Sequence, residues 1–306
     1  MTSRTAVVHL VRAANGLEPF ETFLRAYDAH PAGAEHDLVL LLKGFGGDDE
    51  FRPVRELGGD RVAAEVPVSD RGFDLTAYLA AARVLPHERL CFLNSYSEPL
   101  STGWLSRFEN ALDAPGVGLV GASASWGSHR SFALHLLRLP NAYSTVLADR
   151  RAMAAGFRSV GPPVRVSRMR QRIQTLGVLP RDIVDYPSFP APHVRTNAFM
   201  LERQLLLSLS VGHLRTKSAA YRLESGRNGL SAQIRSCGKQ VVAVGRDGRA
   251  LTAERWPDAA LFWQRDQGDL LVADNQTRAY AAGTPEQRLA LSRYAWGTRA
   301  HPESMG

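Results

Sequence analysis

The chain has 306 residues, of which 44% are hydrophobic and 22% charged, a globular balance that excludes intrinsic disorder and leaves enough apolar surface for a core without staples. Lys and Arg outnumber Asp and Glu by 37 to 30, a net charge of +7, so an anionic partner is favoured: nucleic acid, an anionic membrane surface or a charged substrate. Zinc-finger spacing and aromatic RNA-binding patterns are absent, which argues against nucleic acid, and two distant cysteines, Cys91 and Cys237, exclude a disulfide framework and fit a reducing cytoplasm.

In chain order, strand and helix signals alternate over the first 125 residues. A β-rich run at 6–11 is too short for the core of a signal peptide. A helical pattern at 17–29 follows, with Phe20, Phe23, Leu24 and Tyr27 at helical spacing. Asp37 to Leu42 is the continuous apolar run of a buried parallel strand. Lys43-Gly44-Phe45 then reads as a plain loop. Further strands are expected at 62–66, 90–93 and 117–122, with helices at 74–84 and 104–112. Strands alternating with helices imply a parallel sheet covered on both faces. In such sheets ligands bind beyond the carboxyl ends of the strands. Cys91 lies in the apolar run Leu90–Leu93 and reads as a core residue.

The middle of the chain is less regular. Helical patterns at 131–138 and 141–154 lead into a basic region with seven arginines between 150 and 172, either a docking face for an anion or a solvated surface. Three prolines within 187–192 make an extended segment. A strand at 193–200, helices at 202–209 and 227–236 and a strand at 240–244 follow, then an aromatic-rich tail from Trp256 to Asn275. No stretch reaches 18 apolar residues, so a cytoplasmic protein is expected, with peripheral contact at the inner face of a membrane as the alternative.

Two stretches carry a resemblance. The first is Val68-Ser69-Asp70-Arg71-Gly72-Phe73-Asp74, a helix, a strand, then Asn94-Ser95-Tyr96-Ser97-Glu98 and Gly103-Trp104-Leu105. The second is Tyr221-Arg222-Leu223-Glu224-Ser225-Gly226, with Gly238 and the strand at 240–244 beyond it. In order and spacing the chain resembles the inverting GT-A nucleotide-diphospho-sugar transferases, a family rich in bacterial polysaccharide enzymes. The resemblance implies a GT-A α/β fold over 1–245, with a nucleotide half at 1–125, an acceptor half at 126–245, and a C-terminal extension at 246–306. It implies a glycosyltransferase of hexosyltransferase type, moving a sugar from a nucleotide-diphosphate donor to a saccharide or other hydroxyl acceptor in polysaccharide or glycoconjugate synthesis.

The resemblance also distributes roles. Glu224 takes the place of the acid that removes the acceptor's proton, a step an alcohol nucleophile needs at neutral pH. Arg12, Ala13 and Asn15, after the first strand, and Asp70 would meet the donor's nucleoside; Asn94 and Ser95 would lie at its phosphates. Trp126, Thr196 and Asn197 would face the acceptor. The family's acidic metal motif is altered at 94–98, which leaves three readings: Glu98 holds Mg²⁺ or Mn²⁺, assisted by His193 or His301; Arg265 or Arg278 neutralises the diphosphate without metal; or the site is inactive. The tail is expected to fold over the site as a lid, or to serve as a packing strap or oligomer contact. Two rival classes are an inactive carbohydrate- or nucleotide-binding relative and a nucleotidyltransferase. The second needs a glycine-rich phosphate loop, which Arg12-Ala13-Ala14-Asn15-Gly16 does not supply.

Overall fold

The structure, a computed structural model, describes residues 2–131, 184–212 and 216–301. The helical pattern expected at 141–154, most of that at 131–138, and the basic region at 150–172 lie outside the described residues. Strands β1 (Thr5–Arg12), β2 (Asp37–Lys43), β3 (Val62–Val68), β4 (Arg89–Leu93) and β6 (Val117–Gly121) fall where apolar runs predicted them. With β9 (Ala198–Glu202), β10 (Gln240–Val244) and β11 (Ala250–Leu251) they form one sheet in the order β11-β10-β6-β9-β4-β1-β2-β3. The expected fold class holds: an open, mostly parallel sheet with helices on both faces. β9 is the exception in the interior, running antiparallel between β4 and β6, and β11 closes one edge antiparallel.

The strands bury both faces because their side chains alternate between two cores. Ala6, Val8, Leu10, Val39, Leu41, Leu90 and Phe92 point to one face. There they meet α3 (Asp74–Val84), α5 (Arg203–Ser208), α6 (Lys217–Ser225) and α7 (Leu230–Ser236). Val7, Val11, Leu38, Leu40, Cys91 and Leu93 point to the other face, against α1 (Glu18–Ala29), α2 (Asp48–Gly58) and α4 (Trp104–Asp113). Cys91 is thus a core thiol, its pKa pushed well up by burial, and inert as a nucleophile. His9 belongs to this second core as well, stacked 3.7 Å from Phe23; burial holds its ring at about 3, so it is neutral.

The expected strand at 193–200 is interrupted. β8 (His193–Val194) pairs with β7 (Ala124–Ser125), Arg195-Thr196-Asn197 leave the ladder, and β9 resumes at Ala198. The extension expected at 246–306 holds two helices beyond the aromatic run, α8 (Asn275–Ala281) and α9 (Pro285–Trp296), each opened by a capping box, from Asp274 and from Thr284. Trp256, Tyr280 and Trp296 are fully buried in the first core. Burying three such rings contributes several kcal/mol, so this extension is packed as core. It reaches the sheet's carboxyl edge through β12 (Val272–Ala273), which pairs antiparallel with β5 (Glu98–Pro99).

Candidate active site

The carboxyl ends of β1, β2 and β3 bring Arg12, Lys43 and Asp70 together. Lys43 ends β2 and is 1% exposed, yet its ammonium is satisfied: it donates to Asp70 Oδ1 at 2.8 Å and to the carbonyls of Asp70 and Gly72 at 3.0 Å. It therefore pins the turn between β3 and α3, a role that the plain-loop expectation for 43–45 overlooked. Gly44 allows this closeness, since its φ is +79° and a Cβ there would stand 3.1 Å from the Asp70 side chain. Arg12 reaches the same carboxylate at 3.1 Å. The Lys43 ammonium, then the Arg12 guanidinium, hold the Asp70 carboxyl below the usual carboxylate range. Ala13 and Asn15 form the half-buried 3-10 turn that follows Arg12.

The loop after β4 is tightly tied. Asn94 Oδ1 accepts from the Tyr96 N–H and the Ser97 hydroxyl, both at 3.0 Å, and the Asn94 N–H donates to the Asn197 carbonyl. Ser95 and Ser97 are buried. Glu98, in β5, forms an ion pair with Arg278 of α8, whose guanidinium also donates to the Tyr96 carbonyl at 3.2 Å. Tyr96 feels the positive field of both Arg12 and Arg278 and the negative field of Asp74, which places all of them along one stretch of the carboxyl edge.

Glu224 sits at the end of α6. The Thr196 N–H donates to its Oε1 at 3.1 Å, and the Thr196 hydroxyl bonds to it as well. Burial pushes the Glu224 carboxyl up; Arg195 and the two Thr196 donors oppose the rise without cancelling it. A second acid, Asp74 at the start of α3, is also pushed up, chiefly by burial, with Glu224 contributing in the same direction. Tyr78, one turn further along α3, is fully buried; its hydroxyl has no hydrogen-bond partner among the described residues and lies in the field of both carboxyls. Asp74, Tyr78 and Glu224 thus form an acidic cluster that the sequence reading missed. The residue after Gly72-Phe73 was its available signal, because a carboxylate at a helix start points out of the edge.

Behind this cluster lies a buried ion pair. Arg195 donates to Asp274 at 2.7 Å and to the Ser123 hydroxyl at 3.2 Å, and its guanidinium lies 4.0 Å above the Phe262 ring. Asp274 uses its other oxygen to cap α8 through the Gln276 and Thr277 N–H groups. Asn197 accepts from Ser123 through Oδ1, while its buried Nδ2 has no partner. A cavity of about 260 Å³ opens beside Glu224 between Pro190, His193, Ser231 and Arg235.

The remaining expected residues lie elsewhere or are engaged. Trp126 packs edge-on against Phe189 and Trp296 and donates its indole N–H to the Ala253 carbonyl, the geometry of a packing residue. The backbone of Arg265 bonds to His301, Tyr280 and Arg288, all in the C-terminal extension. His193 is held by the Ala191 carbonyl, and nothing links it or His301 to Glu98. Among the described residues no group of three or more His, Cys, Asp or Glu could share a cation. The donors at 94–98 do not fit a hard divalent ion either: the Asn94 oxygen carries two hydrogen bonds and Glu98 is neutralised by Arg278.

No family model matches the chain, and no curated protein does. Among solved structures it is similar to glucosyl-3-phosphoglycerate synthase from Mycobacterium tuberculosis, in a complex with Mn²⁺, UDP and phosphoglyceric acid: 15% identity over 67% of this chain and 57% of that one, with a TM-score of 0.36. A second structure of that enzyme, with Mn²⁺, UDP-glucose and glycerol 3-phosphate, gives a TM-score of 0.33 at the same identity. The chain thus spans less than two thirds of the length of those proteins, 57–58%. No helix among the described residues is long and apolar enough to cross a membrane.

Proposed function

We propose that this protein is a glycosyltransferase that moves a sugar from a nucleotide-diphosphate donor to a hydroxyl acceptor, with inversion, in the synthesis of a polysaccharide or other glycoconjugate. The observation that carries this reading is the Glu224 carboxyl, oriented by two Thr196 donors and raised by burial, in one electrostatic cluster with the edge residues Asp74 and Tyr78. A base for an alcohol works best when its pKa is lifted toward neutrality yet it still ionises, and burial balanced by Arg195 and Thr196 does both.

In the proposed step Glu224 takes the acceptor's hydroxyl proton while that oxygen bonds to the anomeric carbon. The bond from that carbon to the phosphate oxygen breaks, and the nucleoside diphosphate leaves with the electron pair. Ala13, Asn15 and Asp70 would cradle the nucleoside, with Arg12, at the end of β1, turned to the phosphate side and Asn94 and Ser95 near the phosphates. The cavity beside Glu224 would take the acceptor. The role of Thr196 shifts from acceptor contact to positioning of the base.

Thermal shift with a panel of nucleotide sugars tests the donor, since a true donor raises the Tm by mass action. The Glu224→Gln variant should bind that donor and fail to transfer its sugar. Full turnover in that variant would remove Glu224 from its role, and a panel without any Tm shift would count against the transferase.

A further inference from the structure

We infer that the donor's diphosphate is gripped by two guanidinium groups, Arg12 and Arg278, in place of a divalent cation; this rests on the donor reading above. The argument starts from what a cation would need. A metal on Glu98 must displace Arg278 from it, and a dication would then stand beside a guanidinium. Asn94 cannot assist while its carbonyl oxygen accepts from Tyr96 and Ser97. Among the described residues no group of three or more His, Cys, Asp or Glu could hold a metal.

The arginines offer the matching chemistry. Arg12 ends β1, which pairs with β4 with His9 opposite Leu93, and Arg278, at the middle of α8, donates to the Tyr96 carbonyl, so both lie beside the loop after β4. Arg278 spends one terminal nitrogen on Glu98 and Tyr96; its other nitrogens have no partner among the described residues. Arg12 spends Nε and one terminal nitrogen on Asp70, and its remaining terminal nitrogen has no partner among the described residues. Guanidinium forks suit phosphate oxygens, and they neutralise a leaving diphosphate as a dication does. At the Arg12 end, Lys43 and Arg12 share the carboxylate of Asp70, so Arg12 is not that carboxylate's sole partner. At the other end, the buried Arg195–Asp274 pair fixes the start of α8, so Arg278 is held in place before any ligand arrives. In this arrangement Glu98 is the resting counter-ion of Arg278.

The test is calorimetric titration of the full chain, dialysed against EDTA, with UDP, GDP, ADP, CDP and dTDP, repeated with Mn²⁺. At least one nucleotide should bind in EDTA with a Kd that Mn²⁺ leaves unchanged. Arg278→Gln should weaken it about tenfold or more, the scale of a lost charge-assisted hydrogen bond, and Arg278→Lys should recover part of the loss. Glu98→Gln should retain or tighten binding, because it releases the guanidinium, whereas a metal ligand would show the opposite. Circular dichroism and Tm confirm that each variant is folded. Binding that appears only with Mn²⁺ and fails in Glu98→Gln overturns the inference and leaves the donor reading standing. Binding of no nucleotide under either condition overturns both.

Discussion

Two ionic clusters meet at the sheet's carboxyl edge, and they are built on opposite plans. At the ends of β1 to β3, Arg12 and Asp70 are 39% and 53% exposed, and only Lys43 is buried. Beneath α8, Arg195 and Asp274 are 7% and 1% exposed, and the oxygens of Asp274 are shared between the guanidinium and two helix N–H groups. Water screens the first cluster, so its charges can exchange partners with a ligand at small cost. The second is dry, so losing either member strands the other. The difference separates the group that binds from the group that builds.

Asp274→Ala breaks this contrast hardest. It should cost about 3–5 kcal/mol for the stranded Arg195, with about 1 kcal/mol more for the lost cap, read by denaturant unfolding. A loss below 1 kcal/mol would mean that the two clusters do not differ. Lys43→Met sharpens the comparison, because the ammonium is buried while its partner Asp70 can turn to water. Its three hydrogen bonds predict a loss of about 2 kcal/mol, between the two extremes. The Asp70 carboxyl is depressed by that ammonium first, so its stabilisation is present above the ordinary Asp value of 3.8 and fades as pH falls through the lower folded value. The Lys43→Met variant should show a shallower acid limb in its unfolding profile.

Glu224→Gln should change stability less and in the opposite sense. The Glu224 carboxyl is raised, so ionising it in the folded chain opposes folding once pH climbs above the ordinary Glu value of 4.5. The variant's Tm at neutral pH should equal or exceed that of the wild type, with the gap closing in acid. In the wild type, kcat/KM should rise with pH along a limb that lies above the ordinary Glu range, since the base must lose its proton first. Arg12→Gln, the mildest, should cost less than about 1 kcal/mol in stability and less still at high salt.

Much of the scaffold was legible because burial imposes pattern. The run from Leu38 to Leu42 has to be an interior strand, and Phe20, Phe23 and Leu24 have to share one helix face. α2 was not anticipated: Gly46-Gly47 before it and Pro53 inside it are residue types that disfavour helix, although Phe51 and Val54 pack into the core. The helices of the extension were hidden by polar residues such as Gln264, Gln267 and Asp274, which are buried because each finds hydrogen-bond partners that only the folded chain supplies. Glu224 was legible from local motif order; its Thr196 donors, its coupling to Asp74 and the pairing of Glu98 with Arg278 join distant segments, and no local pattern encodes such contacts.

The short ribbon of β5 and β12 has a consequence for how the chain matures. It joins positions about 175 residues apart, and the Glu98–Arg278 contact beside it spans 180. A nascent chain that has finished β1 to β4 holds most of the nucleotide-facing edge, yet lacks the helix that completes it. Under the proposed transfer, such a half-made protein would lack the Arg278 side of the donor site, so sugar transfer would double as a certificate that folding has run to its end.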